Sequence, residues 1–195
     1  MRNPDTVRRA HAVASIVLSY PGDWLPAMSP ALKEAVGGLP RGFAEPLGRL
    51  VRYLETTAPT ALAAHYVDTF DMRRRCCLYL SYYTHGDTRR RGMALLAFVR
   101  AYQAVGLAVT DELPDHLPVV LEFSAAGNTR AAIELLVAHR PGLDLLGEAL
   151  AQARSPYAHA VAAVRASLPA PGPADVVAAH RLAQLGPPAE EVGVA

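Results

Sequence analysis

Between its proline and glycine stops this chain places apolar residues every three or four positions, and nowhere does it alternate β-branched residues for the length of a strand. That pattern predicts an all-α fold. Asn3-Pro4-Asp5 reads as a helix start, with a cap at Asn3, a proline at the first helical position and an acid in the first turn. Val7, Ala10, Ala14, Val17 and Leu18 follow at helical spacing, and Tyr20-Pro21-Gly22 ends the run. A second helix is expected from about Trp24 to Val36, a third after Arg41-Gly42 with Phe43, Leu47, Leu50, Val51 and Leu54, and a fourth from Pro59 with Leu62, Tyr66 and Phe70.

The stretch "DMRRRCCLYLSYYTHGDTRRRG" (71–92) is less regular. Cys76, Tyr79, Leu80 and Tyr83 fit a helical face, while Leu78, Leu80 and Tyr82 fit strand alternation; the helical surroundings favour helix. Asp87 or Thr88 then caps a long helix to Gly106. Its apolar residues, Leu95, Leu96, Phe98, Val99, Tyr102 and Val105, spread wider than one stripe, so it is expected to be central and buried over much of its circumference. A short helix over 117–126 follows two prolines. The next is capped at Asn128, another carries Leu143, Leu146 and Leu150, and one capped by Ser155-Pro156 carries Tyr157, Val161, Val164 and Leu168. The expected organisation is one helical domain over 1–168. Residues 169–195 form a proline- and glycine-rich linker, a short helix from Ala174 to Leu185 and a disordered tail.

Several function classes are excluded early. A hydrophobic share of 51% in 195 residues supports a real core, and a net charge of +1 gives no global field for nucleic acid or anionic lipid. The N-terminus lacks a signal peptide's apolar centre and no run is long enough to span a bilayer, so a soluble cytoplasmic protein is expected. The adjacent Cys76 and Cys77 fit a reducing compartment and core packing better than a metal or redox pair. No two histidines stand three or four residues apart, and there is no GxxxxGK(S/T), GxGxxG or GxSxG motif. Neither a metal, a cofactor nor a catalytic residue is expected. The two triple-arginine runs sit among acids, which suits ion pairs between helices more than phosphate contacts. A helical DNA-binding regulator stands as the competing reading, although neither of the first two helices makes a convincing basic recognition helix.

What remains is a polar-aromatic middle. Tyr66, Tyr79, Tyr82 and Tyr83 offer apolar bodies with polar tips. Acids at 68, 71, 87, 111, 112, 115 and 122 could meet a basic peptide laid into a helix-lined groove. The same tyrosines could equally be core residues with satisfied hydroxyls.

"YVDTFD", "LYLSYYTHGDTRRRG" and "ELPDHLPVVLEF", in that order within residues 65–126, closely resemble the NarJ family of assembly chaperones for respiratory nitrate reductase, within the wider TorD-like group of molybdoenzyme chaperones. The resemblance implies a single-domain helical bundle of the TorD-like type. It implies a chaperone that is no part of the finished enzyme. Such a chaperone binds the N-terminal segment of the apo catalytic (alpha) subunit, assists molybdenum cofactor insertion, holds no cofactor itself and is monomeric. Asp115 and His116 match the Asp-His of the TorD-like motif near the signal-peptide site, with Pro114 and Leu117 shaping the same turn. Tyr66, Asp68, Tyr82, Tyr83, His85, Asp87 and Arg91 match the NarJ-like signature and join them as peptide-binding candidates. The arginine runs would brace the turn around the groove, the cysteines would pack beneath it, and acids would meet the basic end of the peptide.

Overall fold

The computed structural model describes residues 3–108 and 112–188; Asp111 and the tail residues 189–195, expected to be acidic lining and disorder respectively, lie outside them. Helix α1 (Pro4–Val17) starts as its sequence dictates, with the Asn3 side-chain oxygen accepting from the Asp5 N–H at 2.9 Å and Pro4 at a position that needs no donor. Helices α2 (Leu25–Gly37), α3 (Arg41–Thr56) and α4 (Pro59–Tyr66) follow near the expected bounds, and α3 buries its whole stripe of Phe43, Leu47, Leu50, Val51 and Leu54. A π turn over Val67–Asp71 and a 3-10 turn over Arg74–Cys76 lead into α5 (Leu80–His85) and α6 (Arg89–Gln103). Helix α7 (Leu117–Phe123) passes through a second π turn into α8 (Thr129–Ala138). Helices α9 (Arg140–Gln152), α10 (Ala158–Ser167) and α11 (Pro173–Leu185) complete the chain.

Helix α10 is the inner element. Its Ala160, Val161, Ala163 and Val164 are buried, and it packs against α1, α3 and α9. Small side chains at these positions let three neighbours approach one short helix. Helix α1 also crosses α7, and α2 covers α3. Helix α9 carries α5 as well as α11. A Cβ on Gly142 of α9 would come within 2.8 Å of the Tyr83 Cβ, so glycine here lets α5 sit close. Helix α11 lies on α9 without burying a residue of its own. Beyond it the Pro188 carbonyl reaches the Gly86 turn, where an added Cβ would meet it.

The all-α expectation holds: among the described residues the only β pairing is a single antiparallel bridge between Tyr79 and His116. That bridge corrects the reading of 76–83 as continuous helix. The chain is extended at Cys77 and Tyr79, and α5 begins only at Leu80, because the backbone of 78–80 bonds to another segment instead of to itself. Helix α6 differs more. It buries Phe98 and Tyr102 but leaves Met93 and Leu96 exposed, so it is peripheral and two-faced, not central. Thr88 occupies its cap position, yet the hydroxyl donates back to the His85 carbonyl. Helix α10 begins at Ala158 with Tyr157 before it, and the Ser155 hydroxyl meets His65 where a cap was expected. No described helix is long and apolar enough to cross a membrane.

His11 joins three elements in the core. Its Nδ1 and Nε2 each lie 2.8 Å from a hydroxyl, Ser124 Oγ and Ser167 Oγ. Ser167 donates to the Val164 carbonyl, so it accepts from His11 Nε2–H, and Nδ1 accepts from Ser124. The ring is therefore held neutral, and burial lowers its pKa to about 4. The unfolded chain takes this proton near pH 6.5 and the folded chain only near 4, so stability is full above 6.5 and falls as pH drops through that interval. The loss from this group amounts to about 3 kcal/mol. His11→Gln, neutral at every pH, should start less stable at pH 7 but lose less between pH 6.5 and 4.5 in urea unfolding. An equally steep loss in the variant would place the acid sensitivity in other groups.

Candidate functional site

Two segments expected to form the site meet edge to edge. The Leu80 N–H donates to the Asp115 carbonyl at 3.1 Å, and the Leu117 N–H donates to the Leu78 carbonyl at 2.9 Å. This short pairing places the Asp115 side chain at the start of α5. Its Oδ2 accepts from the Ser81 N–H at 3.0 Å and from the Ser81 hydroxyl at 2.5 Å. Asp115 has no exposed surface. A buried carboxylate needs a cation, and Arg91 of α6 supplies it: Nη2 lies 3.7 Å from Asp115 Oδ2, a charge contact longer than a hydrogen bond. Arg91 Nε donates to Ser81 Oγ at 3.3 Å and Nη1 to Asp87 at 3.2 Å, while its guanidinium lies 5.5 Å from the centre of the Tyr79 ring. One arginine thus ties α6, α5, the His85–Asp87 turn and the 112–117 loop.

Outside this buried knot lies a polar-aromatic ridge. Tyr79 and His116 stack at 5.1 Å between ring centres. The Tyr79 hydroxyl donates to Glu112 Oε1 at 2.9 Å, and His116 Nδ1 sits 3.8 Å from Glu112 Oε2. Burial, then the bond to Glu112, push the Tyr79 hydroxyl up to about 12, so it remains a donor at neutral pH. Burial lowers His116 below the ordinary histidine range despite the pull of Glu112 and Asp115, so its contact with Glu112 is made by a largely neutral ring near pH 7. Tyr66 is raised mainly by burial and then by the charge of Asp71, with Tyr79 and Glu112 acting on it too, so these groups share one neighbourhood. Tyr20 packs edge-on to Tyr66 and is half exposed, and Met72 beside Asp71 is largely exposed.

The candidate residues therefore divide. Asp115, Leu117, Tyr66 and Tyr83 are buried. The Tyr66 hydroxyl donates to the Leu18 carbonyl, and that of Tyr83 donates to the Arg75 and Cys77 carbonyls. Pro114 is half-buried, and its carbonyl accepts from the Tyr102 hydroxyl at 2.7 Å. His116, Tyr82, His85 and Arg91 are partly exposed. Asp68 and Asp87 face solvent, and Asp68 pairs with Arg73 at 2.6 Å. Of the two arginine runs, Arg91 ties the His85–Asp87 turn, and Arg73 pairs with Asp68 at the surface. Cys76 is buried, and the half-buried Cys77 thiol is pushed up to about 11 chiefly by burial. Sequence reasoning did not single out Ser81, and it offered Tyr79 and Glu112 only among the aromatic and acidic residues of the middle, not in the motif set. A lone serine between tyrosines carries no signal until its carboxylate partner, 34 positions away, is known. Among the described residues no cluster of His, Cys, Asp and Glu could hold a metal ion.

A model of the nitrate reductase delta subunit family matches residues 37–163. The chain belongs to that family. It is 34% identical over 158 residues to a protein of Bacillus subtilis named "Probable nitrate reductase molybdenum cofactor assembly chaperone NarJ", across 79% of this chain and 85% of that one. Identity to the Escherichia coli K12 chaperone NarJ is 36% over 150 residues, covering 75% of this chain and 64% of that one. The nitrate reductase-like protein NarX of Mycobacterium tuberculosis is 43% identical over 152 residues, but the chain spans only 23% of its length. In fold, the chain resembles a crystal structure described as a redox enzyme maturation protein of Archaeoglobus fulgidus. Its TM-score is 0.57 and identity 25%, over 82% of this chain and 92% of the other. The NarJ resemblance and the bundle fold are thereby borne out.

The buried knot makes a stability prediction for this delta-subunit family member. Asp115→Ala strands the Ser81 N–H and the Arg91 charge, and should cost about 3–5 kcal/mol. Asp115→Asn keeps an acceptor for Ser81 and should cost about 1–3 kcal/mol. Urea unfolding at pH 7 ranks them, and equal values for the two would deny the carboxylate its structural role.

Proposed function

We propose that this chain is a cytoplasmic, monomeric assembly chaperone for a respiratory nitrate reductase. It binds the N-terminal segment of the apo catalytic subunit, keeps that subunit competent for molybdenum cofactor insertion, and is absent from the finished enzyme. It neither holds the cofactor nor catalyses a reaction. Membership of a family whose relatives are named as such chaperones supports the reading. The observation that carries the peptide-binding part is the ridge itself. Exposed Glu112 lies against Tyr79 and His116, exposed Asp71 adjoins exposed Met72, and Tyr20 packs on Tyr66, whose hydroxyl feels both acids. Such a surface suits the apolar face of a helical segment with a basic end.

The candidate residues take two roles in this reading. His116, Tyr82, His85, Asp68 and Asp87 are the accessible ones that meet peptide. Asp115, Leu117, Pro114, Tyr66, Tyr83 and Arg91 hold the ridge in shape. Charge reversal at Asp115 thus acts through the fold, and the electrostatic test belongs to Glu112. In titration calorimetry the native N-terminal peptide of the cognate catalytic subunit should bind, and a scrambled peptide of equal charge should not. Glu112→Gln with Asp71→Asn should weaken binding about 3–10-fold and flatten its salt dependence. Equal binding of both peptides, or a double variant indistinguishable from wild type, would sink the assignment of this ridge.

The C-terminal segment is dispensable in the same reading. A chain ending at Ala170 keeps the Arg140 bond to the Pro169 carbonyl and loses α11, which buries no residue, together with the Pro188 contact at the Gly86 turn. It should bind the native peptide within about twofold of the full chain, since Arg91 still holds the His85–Asp87 turn through Asp87 when the Pro188 contact is gone. A truncated chain that is folded by circular dichroism yet binds poorly would show that the tail takes part.

A further inference from the structure

The outward side of α6 sets exposed apolar residues between two exposed arginines. Met93 is 70% exposed and Leu96 40%, and Ala97 is exposed between them. These residues lie on one side of the helix at steps of three and four, opposite the buried Phe98 and Tyr102. Arg90 and Arg100 are exposed at the two ends of this apolar strip, ten residues and about 15 Å apart. No acid occurs anywhere in α6. Gly92, one turn before Leu96, has open space where a side chain would go, so nothing among the described residues calls for a glycine at that point of the helix.

We infer that the outward face of α6 docks an acidic amphipathic helix of a partner protein, at a place separate from the acidic ridge proposed for the basic peptide. The charges decide the kind of partner. Positive ends repel a basic segment and complement one whose acids stand about three turns apart on either side of apolar residues. An anionic membrane is the poorer fit. The face carries no aromatic residue and no lysine, and the chain's net charge of +1 supplies little further attraction.

The test uses the full chain and a synthetic helix with leucines at i, i+3, i+4 and i+7 flanked by two glutamates about 15 Å apart. A second peptide carries lysines in place of the glutamates, and phosphatidylglycerol vesicles form a third arm. The glutamate peptide should bind and shift the α6 resonances in heteronuclear NMR, whereas the lysine peptide should not. Met93→Glu and Arg100→Glu, checked for folding by circular dichroism, should each weaken it at least about tenfold. A peptide with lysine facing position 100 should recover binding to Arg100→Glu. Absence of binding, equal binding of both peptides, or binding of vesicles in place of the peptide would overturn the inference. So would a dimer of this chain, seen by sedimentation, that Met93→Glu dissolves, because the face would then be a contact between copies.

Discussion

The pairing of residues 78–80 with 115–117 is the constraint on which the candidate site depends. Two backbone hydrogen bonds are a small part of a helical protein, yet they fix where α5 starts and where α7 starts. Each helix begins on the far side of the bridge, so their relative position follows from it. Asp115 then enters the structure at one place only, under the first turn of α5. With its oxygen bonded to Ser81 and its charge facing Arg91, the carboxylate converts a loose backbone contact into a directional one. Tyr79 and His116 face each other on the outer side because they are the bridged pair itself. The ridge is therefore the solvent side of a joint whose inner side is a buried charge.

That arrangement explains which parts were legible in the chain. Helices such as α1 and α3 were readable because cap, proline and apolar spacing agreed at each local step. The bridge was not, since its two halves, Tyr79 and His116, lie 37 positions apart and each looks locally like a helix approach. The clue was present as a conflict: Leu78 and Leu80 kept an alternation that the helical reading left unexplained. Helix α6 was misread for a different reason. Apolar residues around most of a helix suggest enclosure, but periodicity reports apolar area, not what covers it. The motif residues were located from the NarJ resemblance, yet a motif does not separate a residue that touches a ligand from one that holds its neighbours. Only burial separates Asp115 from His116.

The separation also bears on why a buried ion pair is tolerated. A Met or Leu in place of Asp115 would fill volume, but it could not cap the Ser81 N–H or hold Arg91 in line with Tyr79. In energy the pair need not exceed an apolar substitute, because desolvating two charges offsets much of their attraction. Its contribution is direction. Arg91 bonds to Asp87 in the turn, to Ser81 on α5 and faces Asp115 in the loop, and these demands together leave the guanidinium few positions. The exposed pairs behave differently: Arg73 with Asp68 is solvated on both sides and contributes little to stability.

Charge is thus sorted by depth and by side. On the ridge, acids stay exposed beside aromatic rings; on α6, arginines stay exposed beside methionine and leucine; between the two, the partly exposed Arg91 faces the buried Asp115. The near-zero total is the sum of these unlike regions, not a sign of an electrostatically featureless protein. Steering at contact distance depends on the local field, because beyond about 10 Å salt screens the contribution of the far side. A partner proposed for the ridge and one proposed for α6 would then each meet its own local field. Since Arg91 belongs to α6 and Asp115 to the ridge's own loop, the contact between them joins the two surfaces.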